Sequence, residues 1–369
     1  MKIAPIQFTG RLSTILVLIW LTTAFSLVQA QEMDHSPLRL PATNMDHSEH
    51  MGDKATDSSD SSHKYHAGAW MFAYSYERMF QRDMLDGNNF LDPTAILNNS
   101  PLYTKDRTYL NGAQPITNSG KNMIMDMHML MLMYNQTSRL SWEVMLNYLY
   151  NNMTMYDQMS QTGILTEFPM TTRGVGDTQV FLNYTFARTN WFDFTIKTGI
   201  NLPTGSIDNS DGIFDTMTQG YGIAPYIMQT GTGTYDIHTA LQIERDENNL
   251  TAGAKVYRIS RTGYNRAYYN RGDVVELSTW LRYRFASGTQ LRSKVMQTVR
   301  GRVEGRDDRM TDNTRYTGGS RLDVQLGIGQ QFSGFNIHAD YAIPVRQYLN
   351  GPQMKTNGIL QVSLEYMMM

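Results

Sequence analysis

The chain has 369 residues, of which 41% are hydrophobic, and its 32 basic and 34 acidic residues give a formal net charge of −2. It contains no cysteine, which excludes disulfides and thiolate metal sites. The nearly balanced charge gives no basis for nucleic-acid binding. The 22 tyrosines favour strands, particularly strands that end at a membrane interface.

Residues 1–30 have the pattern of a secretory signal peptide. Lys2 and Arg11 supply a basic start, residues 14–21 form a short apolar core, and Val28-Gln29-Ala30 resembles a cleavage site. The apolar core is too short to favour a permanent membrane helix, and no other long apolar stretch follows it. We therefore expect residues 1–30 to be absent from the folded protein.

Residues 31–66 are predicted to form a disordered periplasmic tail, because they are polar and poor in aromatic residues. Thioether sulfur suits Cu(I) and imidazole suits Cu(II), so the tail is a candidate copper-binding segment. Such binding would be weak and pH-dependent, since histidine must be neutral to bind a metal. The alternative is a solvated linker. The candidate ligands are Met33, His35, Met45, His47, His50, Met51, His63 and His66.

Residues 67–369 alternate between apolar and polar side chains, as amphipathic strands do. Each segment has ten to thirteen residues, enough for a tilted strand to cross a bilayer. We predict about twelve strands, at 69–80, 121–133, 140–152, 176–187, 191–201, 233–244, 249–260, 273–285, 289–300, 319–331, 334–345 and 356–367.

The connections between these segments alternate between short turns and long loops, and the longest loop is 81–120. This alternation is typical of outer-membrane proteins, whereas a soluble β-sandwich has no reason to sort its loops in this way. Backbone groups in the bilayer must all be paired, so the sheet must close. The sequence predicts an all-β fold, a closed antiparallel transmembrane β-barrel with both termini in the periplasm.

The polar faces of the strands are predicted to line the lumen and to set its selectivity. Three Asp/His pairs, Asp126 with His128, Asp236 with His238 and Asp340 with His338, could bind a cation or relay protons, or make ordinary hydrogen bonds. The candidate lumen residues are Glu77, Asp126, His128, Glu143, Asp236, His238, Glu276, Arg282, Arg292, Lys294, Arg321, His338 and Asp340.

Six methionines occupy every second position from Met123 to Met133 and so share one face of a strand. If Asp126 and His128 face the lumen, the methionines face lipid, and flexible thioethers suit that surface. The opposite orientation would place the two ionisable groups in the bilayer, which is costly. The sequence therefore favours a lipid-facing methionine stripe over a copper site in the lumen.

Several stretches together resemble a family of outer-membrane barrels named for the meta-cleavage pathway of phenol degradation, often called transporters. They are AGAWMFAYSYERM at 67–79, MDMHMLMLMY at 125–134, GVGDTQVFLNY at 174–184, GINLPTGSID at 199–208 and GTGTYDI at 231–237. The methionine-rich second strand is similar to that of a subgroup found beside copper-handling genes. The resemblance implies transport across the outer membrane and a link to copper.

The sequence predicts a non-enzymatic channel or transporter for a small solute. An outer-membrane phospholipase would need a serine beside a histidine at the lipid-facing rim, and no such arrangement is present. The alternative is a closed barrel that binds copper through its tail. The expected partners are membrane lipid, a small solute and a copper ion.

Overall fold

The computed structural model describes residues 66–94, 118–158, 165–215, 220–305 and 317–368. These residues all fall within a single compact unit. The predicted signal peptide and the predicted tail, except for an exposed His66, lie outside the described residues. Within the described ranges, no helix is long and apolar enough to cross a membrane.

The described residues form seventeen strands and one 3-10 turn, Tyr226–Met228. The strands are β1 (Trp70–Gly87), β2 (Asn89–Leu91), β3 (Asn118–Asn135), β4 (Leu140–Gln158), β5 (Leu165–Val175), β6 (Thr178–Arg188), β7 (Asp193–Leu202), β8 (Ser210–Asp215), β9 (Gly220–Ile223), β10 (Asp236–Glu247), β11 (Leu250–Arg261), β12 (Tyr269–Asn270), β13 (Val274–Arg284), β14 (Thr289–Arg300), β15 (Glu304–Gly305), β16 (Gly319–Phe332) and β17 (Phe335–Met368).

The main sheet closes on itself as an antiparallel barrel. Its order is β17-β16-β14-β13-β11-β10-β7-β6-β4-β3-β1, and pairing of β17 with β1 completes the ring. Strand β2 pairs with β1 and strand β5 pairs with β4, so the ring has eleven strands and two additions. The small pairs β8–β9 and β12–β15 lie in the connections. The predicted closed antiparallel barrel is confirmed.

Strand β17 has 34 residues and doubles back on itself. The backbone N–H of Met367 donates to the carbonyl of Gly334 (3.1 Å), and the rings of Phe335 and Tyr366 lie 4.6 Å apart. The chain reverses near Gly351, whose φ is +100°. A closed ring in which all neighbouring strands are antiparallel needs an even number of chain crossings. The two arms of β17 count as two crossings, so the ring has twelve.

Short turns connect strands at one end of the barrel and long connections lie at the other. The short turns use left-handed backbone conformations that permit a tight reversal, at Asn248 (φ +56°), Gly288 (φ +83°), Ser333 (φ +43°) and Gly334 (φ +82°). At the opposite end β1, β3 and β4 run several residues beyond their predicted limits, and β5 extends the wall further. The longest predicted loop is therefore partly strand, and its residues 95–117 lie outside the described ranges.

Large apolar side chains cover the outside of the barrel. Leu130, Leu326 and Ile328 are each more than half exposed, as expected for residues that contact lipid rather than a protein core. Their neighbours along each strand point inward and are buried, because successive side chains alternate between the two faces. This alternation identifies the lumen-facing residues of every strand.

Candidate functional site

Most of the predicted lumen residues point into the barrel. Of the thirteen, eleven occupy inward positions, whereas Asp126 and His128 do not. The inward residues are Glu77, Glu143, Asp236, His238, Glu276, Arg282, Arg292, Lys294, Arg321, His338 and Asp340. The lumen therefore carries acids and bases along its length.

Asp126 and His128 face outward, so the prediction that they line the lumen is wrong. Asp126 forms a two-point ion pair with Arg78 of the neighbouring strand (Nε–Oδ1 2.6 Å, Nη2–Oδ2 2.9 Å) and accepts a hydrogen bond from the Tyr76 hydroxyl (2.6 Å). His128 Nδ1 lies 2.7 Å from the Tyr74 hydroxyl. These partners offset the cost of placing ionisable groups on the outer face. The cost was overestimated from the sequence because these partners come from a neighbouring strand, β1.

The methionine stripe consequently faces the lumen, opposite to the orientation that the sequence favoured. Inward methionines on the adjacent strands extend it into a continuous surface, the methionine wall, in which every member is at most 6% exposed. Its members are Met71 and Met79 on β1, Met123, Met125, Met127, Met129, Met131 and Met133 on β3, Met145, Met153 and Met155 on β4, and Met170 on β5.

The rest of the lumen is lined by ion pairs. Glu143, 1% exposed, is contacted by the Lys197 ammonium at 2.9 Å, and that ammonium also lies 4.1 Å from the centre of the Phe181 ring. Arg292 binds Asp340 (3.1 Å), and His338 lies 3.6 Å from the same carboxylate. A further pair joins Arg321 Nε to Asp323 Oδ2 (2.9 Å). These ion pairs take up space inside the barrel, and the first of them borders the methionine wall, because Glu143 lies opposite Met133.

The three Asp/His pairs do not form a common site. His238 bonds through Nδ1 to the Tyr257 hydroxyl, and the neighbouring Asp236 binds a different residue, Arg261. His338 lies beside Asp340, while His128 is on the outside of the barrel. Within the described ranges, no group of three His, Asp or Glu side chains is arranged to hold a metal ion.

Three of the stretches that carry the family resemblance meet in one buried network. Asp177 accepts hydrogen bonds through Oδ2 from the backbone N–H of Thr232 (2.8 Å) and the amide of Asn201 (2.9 Å). Its Oδ1 accepts from the backbone N–H of Gly205 (2.9 Å). Gly205 also packs directly on Gly231, where a Cβ on either residue would lie within 2.6 Å of the other's backbone. These stretches therefore fix a turn inside the barrel.

Residues 224–231, which we name the inward segment, fold against the inner face of the barrel next to this network. The Met228 carbonyl accepts hydrogen bonds from Thr172 Oγ1 (2.5 Å) and Asn151 Nδ2 (3.2 Å), two lumen-facing side chains. Tyr226, Ile227 and Met228 are all at most 1% exposed. The segment thus occupies part of the lumen at the end with long connections.

Arg271 also holds the inward segment in place. Its Nη2 donates to the carbonyls of Tyr226 (3.1 Å), Gln229 (3.2 Å) and Gly231 (2.6 Å), and the residue is 5% exposed. This role could not be predicted, because Arg271 lies in a long connection whose sequence has no recognisable pattern. Arg261, which binds Asp236 (2.5 Å), was also missed, because it is the last residue of β11 and lies one position beyond the predicted strand at 249–260.

Close to Arg271, Asp273 ties the connection to strand β11. Its carboxylate accepts hydrogen bonds from the backbone N–H of Arg261 (2.9 Å) and from Arg258 Nη2 (2.7 Å). Burial raises the pKa of Asp273, but these hydrogen bonds outweigh burial and hold that pKa below its usual value. The connection that carries Arg271 is therefore anchored at its end by a charged carboxylate.

No family model and no characterised protein sequence matches the chain. Solved structures do match it: an outer membrane channel from Pseudomonas putida F1 is 12% identical with a TM-score of 0.54, covering 82% of this chain and 97% of that chain. The Pseudomonas putida toluene transporter TodX is 10% identical (TM-score 0.39; 81% and 89% covered). A Pseudomonas aeruginosa FadL homologue is also 10% identical (TM-score 0.38; 81% and 89% covered). The first likeness shows that the fold is that of an outer-membrane β-barrel.

Proposed function

We propose that this protein is a non-enzymatic outer-membrane channel for a small solute. The observation that carries the proposal is the character of the lumen, whose walls combine ion pairs with a flexible thioether surface. Polar and charged interiors are typical of barrels that conduct water and solutes. The inward segment occupies part of this lumen, so its displacement would widen the passage.

We also propose an orientation in the membrane, a family and a link to copper. The short-turn end faces the periplasm and both termini lie there, in keeping with the loop pattern of bacterial outer-membrane proteins. Membership of the phenol meta-pathway family is supported by the convergence of three of the resembling stretches around Asp177. A copper link is supported by the methionine-rich strand β3 and the His/Met-rich tail.

The channel proposal is tested by inserting the full-length protein into planar bilayers and into liposomes loaded with small solutes. We expect discrete conductance steps and measurable liposome swelling. A heat-unfolded sample of the same preparation is the control. Neither conductance nor swelling from correctly folded protein would contradict a channel function.

A second function, copper binding by the tail, is proposed from the sequence alone. Titrating Cu(II) into the full-length protein should give binding that weakens as the pH falls through the histidine pKa near 6.5. The matched control replaces His35, His47 and His50 with glutamine. Equal affinity in the wild type and this variant would contradict the proposal.

A further inference from the structure

Methionine is sorted to the inner face of strands β3 and β4. The outward apolar positions of β3 hold Ile124, Leu130 and Leu132, and those of β4 include Val144 and Leu146. Every inward position of β3 from 123 to 133 holds methionine instead. Hydrophobicity does not require this separation, and strand propensity favours branched and aromatic side chains. The separation therefore indicates a requirement for sulfur on the inner face.

Cross-strand pairing arranges the thioethers in rows around the barrel wall. Met71 lies opposite Met133 of the wall on one side and opposite Met367 of β17, a partly buried residue that packs against the wall, on the other. These three methionines make a row across β17, β1 and β3. A second row joins Met123, Met153 and Met170 across β3, β4 and β5.

Side chains directly opposite each other have Cβ atoms about 4.5–5.5 Å apart. Methionine has three rotatable side-chain bonds, so three sulfurs of a row can turn toward one ion.

Further pairs link the two rows along β3. Met131 lies opposite Met145, and Met125 lies opposite Met79. The sulfurs thus extend along the barrel from the short-turn end to the end with long connections. Glu77, 4% exposed, lies opposite Met127 and adds a carboxylate to the middle of this surface.

Thioether donors discriminate strongly among cations. They are soft and uncharged, so they favour Cu(I) and chemically similar d10 ions over Mg²⁺ or Ca²⁺, which prefer oxygen. They carry no proton at any ordinary pH, so protons do not compete with the metal as they do at histidine. A site made of them would bind soft cations over a wide pH range.

We propose that the methionine wall binds soft monovalent cations of the Cu(I) and Ag(I) class, with one site at each three-methionine row. The site is separate from the predicted tail, because its ligands are side chains of the barrel lumen. It does not depend on channel activity, since binding requires only that the ion reach the lumen.

The test is a titration of full-length protein in detergent with Ag(I), in chloride-free buffer, followed by NMR of ¹³C-methyl-labelled methionine. Ag(I) avoids the oxidation that complicates Cu(I). We compare the wild type with a row variant in which Met71, Met133 and Met367 are replaced by leucine. Leucine keeps the apolar volume and removes sulfur. Leucine at Met296 and Met368, which lie outside both rows, is the matched control.

At each pH, 7.5 and 5.0, we expect the wild type and the control to bind the same number of Ag(I) ions, with shifted methyl signals from the wall. The row variant should lose one bound Ag(I) per chain at both pH values. If that variant does not fold, leucine at Met123, Met153 and Met170 tests the other row. Unchanged stoichiometry in a folded row variant, or unshifted wall methyl signals in the wild type, would overturn the proposal.

Discussion

Replacing Arg271 with alanine is expected to raise the ratio of open to closed channel by about 10- to 100-fold, because a hydrogen bond from a charged donor contributes roughly 1.5–3 kcal/mol and each 1.4 kcal/mol is a factor of ten. The Arg271 guanidinium donates to three carbonyls of the inward segment. Without the guanidinium, those three carbonyls have no shared hydrogen-bond donor while the segment stays in its present position. A segment that moves into the lumen would instead accept hydrogen bonds from water.

The effect is measured in two independent ways. Planar bilayer recordings should show longer or more frequent openings in the variant than in the wild type. Hydrogen exchange should show faster labelling of residues 224–231 while the barrel strands remain protected. The second readout reports on the segment even where conduction fails for another reason.

Arg258 provides the matched control for Arg271. It lies on the neighbouring strand and forms an ion pair with Asp273 (2.7 Å), but its side chain is 58% exposed. Exposed ion pairs contribute about 0–1 kcal/mol, and without Arg258 the Asp273 carboxylate still accepts from the backbone N–H of Arg261 (2.9 Å). Arg258→Ala should therefore leave both readouts near the wild-type values. Equal conductance and equal exchange in Arg271→Ala and Arg258→Ala would rule out a restraining role for Arg271.

The barrel could be predicted from the sequence because its two main signals are local. The two signals are the alternation along each strand and the order of short and long connections, and neither depends on which strands pair. The predicted segments at 249–260 and 289–300, for example, match β11 and β14 within one residue. The predicted strand ends were less accurate where strands extend beyond their neighbours in the barrel, as β3 and β4 do. The pairs β8–β9 and β12–β15 were missed, since strands of two to six residues carry too little periodicity.

These local signals could not predict which face of β3 points into the lumen. Alternation shows which residues share a face but not which face is inside, and the decision rested on the cost of exposing Asp126 to lipid. That cost depends on Arg78, a residue 48 positions away that cross-strand pairing places beside Asp126. The same limit hid Arg271, whose three acceptors lie 40 to 45 positions earlier in the chain.

The buried pair of Asp236 and Arg261 should produce the largest loss of stability in the described lumen. Its carboxylate is 0% exposed and the arginine side chain 2%, and Asp236 also accepts a hydrogen bond from Thr234 Oγ1 (2.8 Å). Replacing Arg261 with methionine leaves a buried carboxylate without its counter-charge, which typically costs about 3–5 kcal/mol. Urea unfolding of the refolded barrel, followed by tryptophan fluorescence, measures the loss.

The double variant Asp236→Asn with Arg261→Met separates the loss of the pair from the loss of packing. Asparagine keeps an oxygen that can accept from Thr234 but carries no charge, so most of the lost stability should return. Such recovery is expected because replacing both members of a buried pair is often close to neutral, whereas removing one is not. If the double variant unfolds as early as Arg261→Met alone, the arginine acts through shape rather than charge. The ion pairs in the lumen would then stabilise the barrel by filling space and not by balancing charge across the bore.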